Sequence, residues 1–332
     1  MARCFIKSLP LLGVLLVGLV LGVLLNNPIR DAFLGEKPEE EQFKLSHQKG
    51  YLFINPLLDF EQKYRELPKI NKDMEKYISE AKKEGHLKDI SVYFRHLNTG
   101  STFSINGGLK FSPASLLKVP LMIACLRQAE LDPGFLGYKI NYEFPVEGNT
   151  IPNFRYGEPI VLGESYTVED LLVRLIINSD NDAGTLLLQN VDGRILERVY
   201  TDLEIAMPWF PGMENYMTVA DYSKFMRILY NSTYLSRDMS EFALYIMSKS
   251  HFEQGILAGV GPNTTVSHKF GERDIEGMKQ LHDCGIIFYD SGPCLLCVMT
   301  RGGDFVQLEK VIADITKIVS SEMNGGSEKT QD

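Results

Sequence analysis

Phe111-Ser112-Pro113-Ala114-Ser115-Leu116-Leu117-Lys118-Val119-Pro120-Leu121-Met122 sets a hydroxyl and an amine three residues apart at the head of a strongly apolar helix. Residues at that spacing share a helix face. The first turn of a helix presents unpaired N–H groups at the positive end of its dipole. A lysine partly desolvated there can lose its proton and act as a base toward the serine. The pattern is weak by itself, because Ser46–Lys49 and Ser79–Lys82 repeat it, the first in a polar stretch and the second on the polar side of a helix. Taken alone, Ser115 reads as a helix cap and Lys118 as a solvated side chain.

Upstream of this stretch, Met74, Tyr77, Ile78 and Ala81 recur at helical spacing after Ile70, and Gly85 stops the helix. Ile90, Val92 and Phe94 then alternate with Ser91, Tyr93 and Arg95, the period of a half-buried strand. Asn98-Thr99-Gly100 turns into a second strand at Thr102–Ile105. Downstream, a helical middle is expected from Ser115 to about residue 252, with capping boxes at Thr167-x-x-Asp170 and Thr218-x-x-Asp221. Strands are expected at Thr264–Lys269, Asp283–Tyr289 and Cys294–Thr300, with a turn at Ser291-Gly292-Pro293. Phe305, Leu308, Val311, Ile312 and Ile315 mark a last helix. Strands at both ends around a helical insert predict an α+β fold. Its elements are an antiparallel five-stranded sheet flanked by terminal helices, and an all-helical lobe. A site is expected in the cleft between lobe and sheet.

The 332 residues carry a net charge of −9 and 44% hydrophobic side chains, enough for a substantial core. An acidic chain without a basic stripe is repelled by phosphate backbones, so nucleic acid is not an expected partner. Leu9 to Leu25 is unbroken apolar sequence behind Arg3 and Lys7, and no small-residue cleavage site follows it. Residues 1–28 therefore read as an uncleaved membrane anchor with the remainder exported. A polar tether and docking segment is expected at 29–64, the folded domain at 65–322 and a disordered tail at 323–332. Of the five cysteines, Cys125, Cys284, Cys294 and Cys297 would lie in the exported domain. They read as buried thiols, with a disulfide as the alternative. No second Cys-x-x-Cys or nearby histidine supports zinc, and no metal or cofactor is expected. His282-Asp283 reads as sheet-edge polarity, and no acid–histidine pair for a Ser-His-Asp triad is placed.

Two further motifs give Ser115 its meaning. Ser179-Asp180-Asn181 follows a capped helix and occurs once, and Lys269-Phe270-Gly271 ends a predicted strand. In that order, with helix start, interhelical loop and strand, the set resembles the penicillin-recognising serine enzymes, and class A β-lactamases most of all. The resemblance covers residues 65–322. It implies that Ser115 attacks a carbonyl and forms an acyl-enzyme, with Lys118 as base or proton relay and Ser179 passing a proton to the leaving nitrogen. By the same resemblance Asn181 bonds the substrate amide, Lys269 supplies positive charge to the substrate's carboxylate end and to Ser179, and Gly271 belongs with it to the strand that binds substrate. The backbone N–H groups of Ser115 and Glu272 would form the oxyanion hole.

Two departures stand out. Phe270 replaces the hydroxyl residue that would bond a substrate carboxylate, and its ring is expected to narrow that subsite. Neither Glu204 nor Glu214 occupies the context of the glutamate that activates deacylating water; Glu214 reads as a capping or surface residue. The resemblance thus implies β-lactamase-like amide hydrolysis on the extracytoplasmic side of a bacterial membrane, in the periplasm or at the cell surface. The alternatives are a penicillin-binding D,D-carboxypeptidase acting on peptidoglycan stem peptides and a slow-turnover sensor. The expected partners are a β-lactam or peptidoglycan peptide and the membrane.

Overall fold

The period-two alternation of the strand sequences sorts side chains onto two faces of one sheet. The computed structural model describes residue 53 and residues 68–146, 152–207 and 214–325. All belong to the unit formed by residues 47–332. Strands β1 (Asp89–His96) and β2 (Thr102–Ile105) form the first hairpin, and two more follow from the chain's end, β5 (Thr265–Ile275) with β6 (Met278–Tyr289), and β6 with β7 (Gly292–Gly302). The order is β2-β1-β7-β6-β5 with every pair antiparallel, which leaves β5 at one edge.

One face carries Val92, Phe94, Leu281, Leu296 and Val298. It packs against Met74 and Ile78 of helix α1 (Pro68–Lys83) and Leu308, Ile312 and Ile315 of the last helix (Phe305–Gly325). The other face carries Cys284, Ile286, Leu295 and Met299 and packs against the middle lobe. That lobe contains α2 (Lys118–Leu131), α3 (Val168–Ile177), α4 (Asn181–Asn190), α5 (Gly193–Asp202), α6 (Val219–Tyr230) and α7 (Arg237–Met247). A short α8 (Ile256–Gly259) leads back to β5, and the Phe305–Gly325 helix is α9. Thr167 closes a full capping box with Asp170, so α3 starts where the sequence signals it. Thr218 caps α6 by accepting from the Asp221 N–H.

Several expectations are corrected. The middle lobe is not all-helical, because Lys139–Asn141 (β3) and Ser165–Thr167 (β4) pair as a small antiparallel sheet. Strands β5 and β6 run past their predicted ends at Lys269 and Asp283. Their hairpin projects outward, so Asp274 and Lys279 can be charged and still pair in register. Glu276 and Gly277, both at positive φ (52° and 81°), close it as a two-residue turn of the type that matches strand twist. Cys284 and Cys297 stand opposite each other on β6 and β7 and form a disulfide, while Cys125 and Cys294 are buried thiols. The Cys294-x-x-Cys297 spacing cannot pair with itself, because a spacing of three in a strand puts the two side chains on opposite faces. Helix α9 continues two residues beyond Met323 into the expected tail.

The expected anchor and nearly all of the tether lie outside the described residues. The described exception is Phe53, whose ring meets Phe288 at 5.3 Å and whose N–H donates to Glu241. Among the described residues no helix is long and apolar enough to cross a membrane.

Candidate active site

Ser115 lies in a one-turn 3-10 helix, Ala114–Leu117, that leads into α2. Ala114 before it has φ 48°, a left-handed conformation that costs a non-glycine residue about 1–3 kcal/mol. This turn is tied to the sheet through Ser112. Its N–H donates to Gln280 Oε1 at 3.1 Å, and its hydroxyl accepts from Arg273 at 3.1 Å. Its carbonyl accepts from His282 Nε2 at 2.8 Å. His282 Nδ1 accepts from the Thr300 N–H, so both ring nitrogens are assigned and the ring is neutral. Burial holds its pKa down at about 4. His282 and Asp283 are therefore fully buried in an inner strand and are not sheet-edge polarity.

Strand β5 passes close behind the same turn. A Cβ at Gly271 would stand 2.7 Å from Pro113 O and 3.0 Å from Leu116 N, contacts that backbone atoms cannot yield to cheaply. Glycine at this position brings the backbone of β5 against the Ser115 turn.

Lys118 opens α2 with its side chain buried. Its Nζ meets Ser179 O, Ser179 Oγ at 3.0 Å and Asn181 Oδ1 at 2.7 Å. Gly184 of α4 lies beside the Lys118 stem, where a Cβ would reach Lys118 Cε at 4.0 Å. Ser179 sits between α3 and α4 at φ 58°, a second left-handed non-glycine residue. The middle residue of Ser179-Asp180-Asn181 has a structural task, since Asp180 caps α4 by accepting from the Ala183 N–H at 2.9 Å. Lys269, 0% exposed, approaches Ser179 Oγ from the other side at 3.0 Å and also donates to Phe270 O at 2.9 Å.

Two lysine nitrogens thus share one hydroxyl. Burial lowers the Lys118 pKa to about 7, against the opposing pull of Asp180 and Glu272. Lys269 is lowered too, first by burial and then by Lys118, with Asp283 and Glu272 opposing. The three contacts of Lys118 Nζ match the three N–H groups of its cation, and on losing a proton it keeps two donors and gains a lone pair. Lys269 donates to Ser179 Oγ, and its Nζ lies 4.0 Å over the Phe270 ring, a position that favours its charged form against the burial that lowers its pKa.

The structure brings Lys118, Ser179, Asn181 and Lys269 together, and sets Gly271 against Pro113 and Leu116 of the turn that carries Ser115. Three features were not anticipated. The first is a buried acid–histidine pair, His268 Nδ1 to Asp283 Oδ1 at 2.8 Å, with Asp283 Oδ2 accepting from the Ile256 N–H. It lies under Lys269, on the face of β5 away from the Ser115 turn. The second is the position of Phe270. Its ring is 1% exposed, stacked on Phe252 at 4.3 Å, so it does not line an open subsite. The third is the segment 152–160, which crosses from the lobe to the β5 edge. Phe154 packs on Phe270, Phe252 and Phe305, and its N–H donates to Glu272 Oε1 at 2.9 Å. Only the run of aromatics in Phe154-Arg155-Tyr156 hinted at this in the sequence.

Glu214 lies at the surface, 3.5 Å from Arg273, and Glu204 is exposed after α5. Among the described residues no three His, Cys, Asp or Glu side chains cluster to hold a metal ion.

Comparison with known proteins follows this geometry. No curated protein sequence matches the chain. The structure is similar to that of PBP-A, at TM-score 0.64 and 18% identity over 79% of this chain and 98% of that one. A PBP-A mutant, solved as an acyl-enzyme complex with penicillin G, matches at TM-score 0.65 and 18% identity over 80% and 100%. A β-lactamase from Sphaerobacter thermophilus matches at TM-score 0.64 and 24% identity over 76% and 97%. These likenesses establish the fold. Residues 69–323 match the beta-lactamase enzyme family. With that match over most of its length, the chain belongs to the beta-lactamase enzyme family and is a serine hydrolase of the acyl-serine type.

Proposed function

We propose that Ser115 is the nucleophile and that the enzyme opens β-lactam or related amide bonds through an acyl-Ser115 intermediate that is slow to hydrolyse. The observation that carries this reading is the Lys118–Ser179–Lys269 chain, with burial lowering the Lys118 pKa to about 7 so that it can lose its proton near neutral pH. A neutral Lys118 takes the Ser115 proton as Ser115 Oγ bonds to the carbonyl carbon. The negative charge developing on the carbonyl oxygen is met by the N–H groups of Ser115 and Glu272, on the two backbones that Gly271 brings together. Ser179 hands its proton to the leaving nitrogen and regains one from Lys118, while Lys269 steadies the Ser179 oxygen.

Slow deacylation follows from the two glutamates at hand. Glu214 is engaged with Arg273, and Glu204 is exposed after a helix end. Neither is in place of a dedicated base for water. We further propose that the domain works outside the cytoplasm, held by residues 1–28. The apolar run Leu9–Leu25 supports this, as does the Cys284–Cys297 disulfide, a bond that persists in oxidising compartments.

The test is intact-protein mass after mixing the full chain with excess penicillin G. The reading predicts one covalent adduct that persists for many minutes after free penicillin is removed. Rapid hydrolysis of many equivalents with no adduct would contradict slow deacylation, and neither adduct nor hydrolysis would contradict β-lactam chemistry.

A further inference from the structure

We propose that His282 is a positioning residue for acylation: it holds the Ser112 carbonyl, and through that peptide it fixes the turn that aims the Ser115 hydroxyl. The inference rests on Ser115 being the nucleophile, as proposed above. His282 acts through the turn alone, on a residue that precedes the nucleophile by three positions.

The turn needs a hold. Ala114 keeps a left-handed φ of 48°, a conformation that persists in an alanine only where the surroundings over-determine it. On the C-terminal side the Leu116 N–H donates to Pro113 O at 3.0 Å, and Gly271 stands close behind both. On the N-terminal side the hold falls on Ser112. The Ser112–Pro113 peptide is trans and planar, and the proline ring fixes the next rotation at φ −67°. The soft rotation left before Ala114 is ψ of Pro113, which the bond from Leu116 restrains. A constraint on the Ser112 carbonyl is therefore passed along the chain toward Ser115.

His282 is placed to supply that constraint. It stands directly across from Gly271 in the β5–β6 register, so adjacent strands meet the same turn. The missing side chain on β5 admits the turn, and the imidazole on β6 reaches it, Nε2 donating to Ser112 O at 2.8 Å. Thr300 of β7 donates its N–H to Nδ1 at 3.2 Å, which leaves the ring proton on Nε2, where the carbonyl needs it. The Phe111 ring meets the imidazole at 74°, centroids 5.5 Å apart, and His282 is 0% exposed, which shields the bond from solvent. The other two ties of Ser112 are looser. Arg273 is 42% exposed and shared with Glu214, and Gln280 divides its amide between the Ser112 N–H and Asn215. Of the three, His282 is the fully buried one, with both polar atoms of its ring committed to backbone.

Acylation of the full chain by penicillin G, followed by intact mass over a range of concentrations, separates the rate at saturation from the half-saturating concentration. His282→Phe keeps a flat ring and removes the donor. The proposal predicts that its saturating rate falls roughly tenfold to a hundredfold, the scale of a misplaced reacting group, with little change in the half-saturating concentration. His282→Gln carries an N–H donor to nearly the same place and should recover most of the rate. Circular dichroism and urea unfolding ensure that folded proteins are compared. If His282→Phe does not fold, His282→Asn takes its place, because its amide is one carbon shorter than that of glutamine and falls short of the Ser112 carbonyl. An unchanged rate in the donor-free or shortened variant, or a glutamine variant as slow as it, would overturn the proposal while leaving Ser115 chemistry intact. A loss confined to the half-saturating concentration would do the same. If none of the variants folds, the role of His282 is structural only and the proposal fails. No acylation of the parent chain would overturn the underlying reading and this one with it.

Discussion

Lys118 and Lys269 each place Nζ 3.0 Å from Ser179 Oγ, a spacing that two full charges would resist. Desolvation lowers both, and Lys118, with a pKa of about 7 and three residues from Ser115, is the proposed base. Because a base must be unprotonated, acylation should rise with pH through about 7 and level off above it. Below that point it should fall about tenfold per pH unit, as expected for loss of a single base. Acylation rates measured from pH 5.5 to 8.5 check this, and a flat profile would assign the base elsewhere. Lys118→Ala should cost ~10²–10⁴-fold across the range. At this scale the sequence was highly legible, because each motif pairs a distinctive residue with a distinctive element boundary. The role of Asp180 as a cap was readable in principle from its place before α4. The His268–Asp283 pair was not, since a partner on a neighbouring strand depends on register, and His268 and Asp283 are fifteen residues apart.

Strand β5 shows how one element sets the site. It carries Lys269 toward the lobe and Phe270 toward the terminal helices, and at Gly271 it touches the turn that bears Ser115. Gly271→Ala should force the strand and turn apart, costing about 1–3 kcal/mol as overpacking does. Acylation should slow with it, because the backbones carrying the two oxyanion-hole N–H groups would separate. Urea unfolding and acylation rates of the variant check both, and unchanged values would mean the contact is yielding. Element positions were legible wherever apolar period or a capping box marked them, as at α1, β1 and α3. They were illegible where burial no longer governs the sequence. The outer halves of β5 and β6 stand partly in solvent, so their charged residues look like loop. The Glu276-Gly277 turn lacks the usual Asn or Asp signal. The 152–160 segment has no regular period, and its conformation is set by Phe154 finding an aromatic pocket.

The described residues form a five-stranded sheet covered on both faces, with the candidate site where the lobe meets the edge strand. The two-ended distribution of strand sequences made this architecture legible. Hydrophobic alternation cannot report which cysteines oppose each other, so the Cys284–Cys297 bond emerged only with the β6–β7 register. The central claim is that this assembly exists to acylate Ser115. The most direct measurement is to label the full chain with a fluorescent penicillin and map the adduct by peptide mass, beside a Ser115→Ala variant shown to be folded. The account predicts label on the peptide containing Ser115 and none in the variant. Undiminished label in Ser115→Ala, or label on any other residue of the parent chain, would contradict it.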